Sequence, residues 1–304
     1  MVNRMSKKRD FFRLVKMNRT NYLMILPFMV VFMLFTVIPV VTAIILSFTD
    51  FDMLSVPKFT GWDNYIRLFL DDEVFLIAVK NTLIFSVLTG PLSYFLCLIF
   101  AWLVNMFKPK VRAFLTFVFY APSISGNVYV IWNYIFSGDS YGLVNSFLMN
   151  LGFIKEPVQW FTNTKYMLPL CIMVSLWLSL GTSFLTFIAG FQGIDTSLYE
   201  AGALDGIKSR VQELIYITLP SMGPQLLFGA VMQISASFSA GAVCETLAGF
   251  PSTDYAAHTV VTHIKDYGTL RYEMGYACAI ATILTLSMVF TNHIIRKILK
   301  KHTV

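Results

Sequence analysis

Six long stretches of the chain contain no Asp, Glu, Lys or Arg and are strongly apolar. Each is at least 22 residues long, which exceeds the ~20 residues that an α-helix needs to cross the ~30 Å hydrocarbon core of a bilayer. The pattern therefore predicts an all-α, polytopic membrane protein with six transmembrane helices. The stretches are residues 20–49, 81–107, 113–138, 166–194, 214–244 and 274–295.

The composition supports this interpretation and excludes two other classes of protein. Of 304 residues, 56% are hydrophobic and 13% are charged, whereas a soluble domain carries about 25% charged residues. A soluble globule could not hide so much apolar surface, and a disordered chain needs low hydrophobicity. The first stretch is longer than the ~7–15 apolar residues of a signal peptide, so we expect it to be a retained helix. The four cysteines lie in the apolar stretches without metal-ligand spacing, which predicts packed thiols and no metal site.

The basic residues predict how the chain lies in the membrane. If the N-terminus is inside, 16 of the 23 Lys and Arg fall in the inner segments, while 12 of the 17 Asp and Glu fall in the outer ones. Basic residues resist translocation, so this asymmetry predicts a multi-pass protein of the cytoplasmic membrane with both termini in the cytoplasm. Residues 1–19 are then a cytoplasmic basic tail, and residues 20–49 are the first transmembrane helix.

The inner segment 191–220 differs from the other loops, because it is too polar to span a bilayer. Ser197, followed three residues later by Glu200, has the pattern of a capping box, which predicts a short helix from Glu200 to Leu204. Gly206 can supply the left-handed residue that ends such a helix.

A second short helix is expected from about residue 209 to 217. It would place Val211, Leu214 and Ile217 on one apolar stripe, and Pro220 would end the segment before the fifth span. The loop thus predicts two short helices joined at a glycine on the cytoplasmic face, a shape suited to docking a partner.

This loop resembles the EAA loop of ABC importer permeases. That pattern is Glu-Ala-Ala, three residues, Gly, and then Ile-x-Leu-Pro. The chain departs from it in two ways: Gly202 replaces the second Ala, and the stretch between Gly206 and Ile217 is one residue longer than in the common form. The matching positions and their neighbours are Glu200, Ala201, Gly202, Asp205, Gly206, Ile217, Leu219 and Pro220.

The resemblance extends over most of the chain. Residues 26–54, 59–86 and 120–145 are similar to the corresponding parts of the sugar-type permeases served by binding proteins. The resemblance implies a type I ABC importer permease fold, with a five-helix core over residues 75–298 that contains the coupling loop 191–220. It also implies four kinds of partner: a second homologous permease subunit, a cytoplasmic ABC ATPase dimer, an extracytoplasmic solute-binding protein and a sugar substrate.

The chain has no G-x-x-x-x-G-K-[ST] phosphate loop. We therefore expect it not to be an enzyme and to hold no cofactor, with ATP and magnesium bound by the partner ATPase. The inner loop 195–213 carries two basic and four acidic residues. It breaks the positive-inside pattern, as a segment shaped by a docked ATPase would.

Sugars bind through aromatic faces and neutral hydrogen-bonding side chains. Polar residues in the spans can equally serve as hydrogen bonds between helices, and aromatic ones as interfacial anchors. Substrate-path candidates are Asn127, Tyr129, Trp132 and Asn133 in the third span and Gln233, Ser235 and Ser237 in the fifth.

The leading hypothesis is a permease subunit of an ATP-driven importer that passes a sugar, in particular an oligosaccharide. A self-sufficient carrier or channel and a non-transporting scaffold are the alternatives from other classes. The spans lack buried charged residues of the kind that couple secondary transport to ions, which favours the importer. Glycerol-phosphate importers share the same sequence style, but the spans offer no evident basic clamp for a phosphate, which favours a neutral sugar.

Overall fold

The computed structural model describes residues 17–126 and 128–300. The described chain is helical, and its only β contact is an isolated bridge between Thr49 and Phe59. In chain order the helices are α1 (Arg19–Leu46, with a π turn at Met33–Val37), α2 (Asp63–Leu70), α3 (Glu73–Asn105), α4 (Pro109–Ile124), α5 (Val128–Ile135), α6 (Leu143–Asn150), α7 (Thr164–Leu178), α8 (Thr182–Gln192), α9 (Thr196–Leu204), α10 (Arg210–Ser221), α11 (Gly223–Phe238), α12 (Gly241–Ala248), α13 (Val260–Lys265) and α14 (Met274–Lys300).

The charge-free stretches become the long helices, because a helix satisfies its own backbone hydrogen bonds in a bilayer. Four helical segments are long and apolar enough to cross a membrane: α1, α3, α7 with α8, and α14. Two bent helix pairs, α4 with α5 and α10 with α11, bring the number to six if each pair is one span. The fold class predicted from the sequence is confirmed.

Three helices form the centre of the bundle. Helices α3, α8 and α11 pack against one another around buried Cys97, Phe184, Phe187 and Met222. A second apolar cluster joins α7 to α12, and a third joins α2, α3, α13 and α14. Helix α1 buries no residue in its first half and packs on α14 through its second half. The three apolar clusters therefore contain no residue of α1.

The segment between α1 and α3 is partly helical, as its aromatic residues suggest. The Asn64 side chain donates hydrogen bonds to the carbonyls of Ser47 (2.9 Å) and Thr49 (2.8 Å), and the hydroxyls of Ser47 and Tyr65 lie 2.7 Å apart. These contacts fix α2 against the end of α1. Residues 139–165, between the third and fourth charge-free stretches, contain the helix α6 as well.

The two ends of the bundle differ in character. We call the end that carries segments 47–72, 136–163 and 249–273 the loop-rich end, and the opposite end, with α9 and α10, the EAA-like end. Most of the predicted basic tail, residues 1–16, lies outside the described residues.

Candidate functional site

The first short helix of the EAA-like loop forms, but it begins earlier than expected. Helix α9 covers Thr196–Leu204, and its N-cap is Asp195, whose carboxylate accepts a hydrogen bond from the Ser197 backbone N–H at 3.0 Å. The predicted Ser197 cap is therefore wrong, because a carboxylate two residues earlier takes the same role. The Ser197 backbone and side chain lower the pKa of Asp195, as expected for an ionised cap.

The second short helix also forms, with a local change in its winding. Ser209 caps α10 through a capping box with Gln212. Residues Leu214–Thr218 then form a π turn, in which each hydrogen bond closes over one more residue than in an α-helix. Ile217 lies in this π turn, and Leu219 and Pro220 follow it directly, before α11 begins at Gly223.

Gly202, the other departure from the pattern, is explained by close packing between the two helices. It is the only buried residue of α9. A Cβ atom at this position would lie 2.5 Å from Ile217 Cδ1 and 3.2 Å from Ile207 Cδ1, closer than carbon atoms normally approach. The missing methyl group thus makes room for Ile217, and the two positions form one packing unit.

The turn between the two helices depends on Gly206, which has a φ of +94°, in the region that glycine adopts without steric cost. Its N–H bonds the Ala203 carbonyl at 3.3 Å and the next N–H, of Ile207, bonds the Gly202 carbonyl at 2.9 Å. Glu200, Ala201 and Asp205 are exposed on the outside of this turn. The loop therefore offers a rigid, exposed helix of about two turns.

A cavity of about 360 Å³ lies between this loop and the core. The hydroxyls of Tyr199 and Thr218 lie 2.9 Å apart at its edge, which ties α9 to the π turn. Arg210 pairs with Glu213 at 2.8 Å, and Arg112 donates to Asn105 at 3.0 Å. The first of these two contacts lies within α10, and the second joins α4 to the end of α3 on the other side of the cavity.

A second cavity, of about 220 Å³, lies inside the helix bundle. We call it the central cavity. Among the described residues, no charged side chain lines it. Its walls come from α3, α5, α7, α11 and α12, and the lining residues are Phe85, Thr89, Ser93, Tyr129, Ser175, Leu178, Ser179, Gln233, Ala236, Ser237, Ser239, Ala240, Ala242 and Val243.

Helix α7 ends beside the central cavity, before α8 begins at Thr182. The carbonyl of Ser179 accepts hydrogen bonds from Cys97 Sγ at 3.2 Å and from Gln233 Nε2 at 3.3 Å. A break inside a span is tolerated when neighbouring side chains satisfy the freed carbonyl. Gln233 therefore holds the break in place while it lines the cavity.

The structure brings three of the predicted substrate-path residues together. Tyr129, Gln233 and Ser237 line the central cavity. Trp132 instead packs against Trp177, with ring centres 5.3 Å apart, and its buried Nε1 has no hydrogen-bond partner. Asn133 donates to the Thr246 carbonyl at 3.4 Å. Trp132 and Asn133 therefore do not line the central cavity.

Two predicted residues give no support to the path. The side chain of Ser235 does not line the central cavity, although its carbonyl accepts a hydrogen bond from the Ser239 hydroxyl at 2.9 Å. Asn127 lies outside the described residues.

Sequence reasoning missed most of the hydroxyls in the central cavity. Thr89 and Ser93 are four residues apart on α3, and Ser175 and Ser179 are four apart at the end of α7. Residues four apart share a helix face, so polar pairs at this spacing within an apolar span were a usable signal. The Ser175 hydroxyl is buried and has no partner in the described chain, which leaves it free to bond a ligand.

Comparison with known proteins adds independent findings. Residues 93–303 match the family model described as "Binding-protein-dependent transport system inner membrane component". The chain is 34% identical to the probable ABC transporter permease protein YesP of Bacillus subtilis (strain 168), over 88% of this chain and 86% of that one. It is 32% identical to the lactose transport system permease protein LacF of Rhizobium radiobacter, over 69% and 70%.

Solved structures agree with these relatives. A chain of a bacterial ABC transporter that imports the acidic polysaccharide alginate superposes with a TM-score of 0.74 and 25% identity, covering 95% of this chain and 99% of that one. The same transporter in complex with an alginate pentasaccharide-bound periplasmic protein gives a TM-score of 0.74 and 26% identity, over 95% and 98%. The helical membrane architecture, the EAA-like loop and the matched family model lead to one conclusion: the chain belongs to the family of binding-protein-dependent transport system inner membrane components, the membrane permeases of ABC transporters.

Proposed function

We propose that this chain is the permease subunit of an ATP-driven importer that passes an uncharged sugar, in particular an oligosaccharide, across the cytoplasmic membrane. The central cavity is the observation that carries the proposal. It combines one aromatic hydroxyl side chain, Tyr129, with an amide and several aliphatic hydroxyls, and within the described chain no charged side chain lines it.

The chemistry of this lining suits a neutral carbohydrate. Sugar hydroxyls need both donors and acceptors, and Ser, Thr and Gln side chains supply both. A charged ligand in such a site would lack a partner of opposite charge, which is costly inside a bilayer. The volume of about 220 Å³ is below the ~300–1,000 Å³ of complete small-molecule sites. The partner permease would therefore supply the rest of the pathway.

The names of the relatives support a saccharide. Besides the lactose permease LacF, the chain is 27% identical to the arabinooligosaccharides transport system permease protein AraP of Bacillus subtilis (strain 168), over 91% of this chain and 87% of that one. The EAA-like end would lie in the cytoplasm, as the charge asymmetry of the sequence predicts. The loop-rich end would then receive the sugar from a solute-binding protein.

The remaining partners follow from the exposed turn of the EAA-like loop. We infer that α9 docks on an ATPase subunit and transmits its movement to α11 through the Gly202–Ile217 contact and the π turn. A second homologous permease would complete the membrane pathway, and ATP and magnesium would bind to the ATPase.

Uptake measurements test the substrate class. Cells that lack this gene, and the same cells complemented with it, should be supplied with neutral oligosaccharides and with uronate oligomers. Complementation should restore uptake of a neutral oligosaccharide. Restored uptake of uronates alone would contradict the proposal.

A pair of serine variants tests the role of the cavity. Ser175→Ala removes a buried hydroxyl that bonds nothing in the described chain, so the fold should be unaffected. The loss of one ligand hydrogen bond, about 0.5–1.5 kcal/mol, should lower the kcat/KM of uptake about 2- to 10-fold. Ser287→Ala, on the exposed part of α14, is the matched control and should leave uptake unchanged. Equal uptake by both variants would remove Ser175 from the path.

A phosphorylated or acidic solute is the second candidate, because some relatives transport one. The sn-glycerol-3-phosphate transport system permease protein UgpA of Yersinia pestis bv. Antiqua is 28% identical over 88% of this chain. Among the described residues, however, no Lys or Arg lines the central cavity. Uptake of glycerol 3-phosphate without uptake of any neutral sugar would favour this candidate.

A further inference from the structure

A buried chain of polar side chains at the loop-rich end has no role in the function proposed above. It links Asp72 at the start of α3, His263 on α13 and His258 in the segment before α13. Each of the three residues is at most 9% exposed. Asp72 Oδ2 lies 3.0 Å from His263 Nε2, and His263 Nδ1 lies 3.1 Å from His258 Nε2.

The hydrogen bonds assign one direction to the chain. The Asp72 carboxylate also accepts from the Tyr276 hydroxyl at 2.7 Å and from the Phe75 backbone N–H at 2.9 Å. It therefore acts as the acceptor for His263 Nε2–H, which leaves Nδ1 of a neutral His263 as an acceptor for His258 Nε2–H. The contact between the two imidazoles thus requires one bare ring nitrogen, at His263 Nδ1.

The second nitrogen of His258 lies 3.2 Å from Thr262 Oγ1. The Thr262 hydroxyl directs its proton to the Thr259 carbonyl at 2.7 Å, so its oxygen could accept a proton carried by His258 Nδ1. A second proton on His258, at Nδ1, would be accepted by Thr262 Oγ1, but it would place a positive charge in a buried site. A proton added to His263 would force His258 into its other tautomer, with a bare Nε2, and a proton on both rings would place two N–H groups against each other and break the contact.

These residues fasten one segment to the core. Asn81 on α3 donates to the carbonyls of Tyr255 (3.0 Å) and His258 (2.9 Å), and the Thr82 hydroxyl accepts from the Val260 backbone N–H at 2.9 Å. Segment 255–263 is therefore held against α3 by side chains that are distant in the sequence.

The fastened segment continues into a wall of the central cavity. Helix α12 contributes Ala242 and Val243 to that wall and connects through residues 249–259 to α13. Glu245 on α12 also pairs with Lys265 at the end of α13. Release of α13 would therefore remove the Glu245–Lys265 pair from α12, which stays packed on α7.

We infer that Asp72, His263 and His258 form a proton-sensitive latch, closed when both imidazoles are neutral and opened by acid on the loop-rich side. Opening would release segment 255–263 from α3. The inference concerns this segment alone and does not depend on the identity of the substrate.

Burial opposes protonation of the two histidines in the closed state. Burial, with a smaller contribution from the neighbouring His263, lowers the pKa of His258 to about 4. Burial also lowers the pKa of His263, outweighing the attraction of Asp72. For Asp72, burial alone would raise the pKa, but the Tyr276 hydroxyl, the Phe75 N–H and His263 together lower it. The other titratable or charged groups around the pair are Arg67, Glu245, Tyr255, Lys265, Asp266, Tyr267, Arg271 and Glu273.

The sign of the pH effect follows from proton linkage. A histidine whose pKa is lower in the closed state than in the open state stabilises the closed state when the pH is above its ordinary pKa of 6.5. Such a histidine loses this contribution as the pH falls from 6.5 towards 4. Asp72, with its pKa below 3.8, stays ionised across this window. For His258 alone, a fall from pH 7.5 to pH 5 should raise the open population about 30-fold.

Hydrogen–deuterium exchange on the assembled transporter in nanodiscs tests the latch. Peptides covering residues 255–266 should be followed at pH 7.5 and pH 5, with rates corrected for intrinsic exchange. We expect the corrected opening to rise at least about 30-fold in the wild type and clearly less in His258→Gln, where only His263 of the pair still titrates. His293→Gln, which removes an exposed histidine of α14 far from the latch, should behave as the wild type does.

Two outcomes would overturn the inference. One is an increase of less than about threefold in the corrected opening of the wild type between pH 7.5 and pH 5. This result does not depend on whether any variant folds. The other is a rise in His258→Gln that matches the wild type. Neither outcome affects the uptake test of the proposed function, so the two conclusions fail separately.

Discussion

Replacement of Gly202 by valine should destabilise the EAA-like loop, because the site is already filled by a neighbour. A Cβ there would lie 2.5 Å from Ile217 Cδ1, and valine adds two further methyl groups in a buried position. Overpacking of this kind costs about 1–3 kcal/mol. The higher helix propensity of valine relative to glycine offsets this cost by only a few tenths of a kcal/mol.

The expected net loss is therefore about 1–2.5 kcal/mol. It should appear as a lower melting temperature of the purified permease, on the order of 5 °C. Sugar uptake should fall as well, because α9 is displaced from the π turn. Thermal unfolding and uptake can be measured on the same preparations.

The variant Ala203→Val supplies the matched control. Ala203 is the next residue of α9 and is exposed, so the same β-branched side chain meets water instead of Ile217. Its melting temperature should stay within about 1 °C of the wild type, because surface changes are usually within ±0.5 kcal/mol.

A compensating change identifies the contact itself. Ile217→Val removes Cδ1, the atom closest to the added Cβ, so the double variant should recover about 1 kcal/mol relative to additivity. Equal losses in Gly202→Val and Ala203→Val, or no relief from Ile217→Val, would refute the packing explanation.

Three further variants test other parts of the structure. Gly206→Val should abolish uptake while leaving membrane insertion intact. The φ of +94° at this position costs a residue with a side chain about 1–2 kcal/mol. Gly206→Asn should retain more uptake than Gly206→Val, and equal uptake by the two variants would contradict the role of the backbone angle. Gln233→Leu should lower thermal stability by about 0.5–1.5 kcal/mol, because the Ser179 carbonyl loses one of its donors. Unfolding at the wild-type temperature would show that the other two, Cys97 Sγ and the Gly181 N–H, suffice. Arg67→Lys should lose part of the stacking on Tyr276, where the guanidinium lies 4.3 Å from the ring centre. A cost of about 0.5–1 kcal/mol in thermal unfolding is expected, and no cost would exclude a stacking contribution.

The fold class could be predicted because the bilayer imposes a simple rule. Each charge-free stretch of at least 22 residues had to become one helix or a bent pair. The asymmetry of basic and acidic residues between the loops predicts which end of the bundle faces the cytoplasm. The predicted helices of the EAA-like loop also formed, since their signals are local. Only the first cap was wrong, because Asp195 lies closer to the first free N–H groups than the side chain of Ser197.

The central cavity was predicted in part. Tyr129, Gln233 and Ser237 were found from residue type, but residue type does not separate a side chain that faces a cavity from one that packs between helices. Trp132 illustrates the difficulty, because it packs edge-to-face against Trp177, 45 positions away. The polar pairs four residues apart on α3 and α7 would have improved the prediction.

The sequence by itself determined the membrane helices, their order, and the exposed turn at Gly206, because hydrophobicity, charge and backbone geometry act over short distances along the chain. Tertiary structure alone decided which polar groups meet. Asp72 contacts His263 across 191 residues, and Gln233 reaches Cys97 across 136. No local pattern specifies such pairs. They exist because a buried polar group inside a packed bundle must find a hydrogen-bond partner wherever the fold brings one within reach.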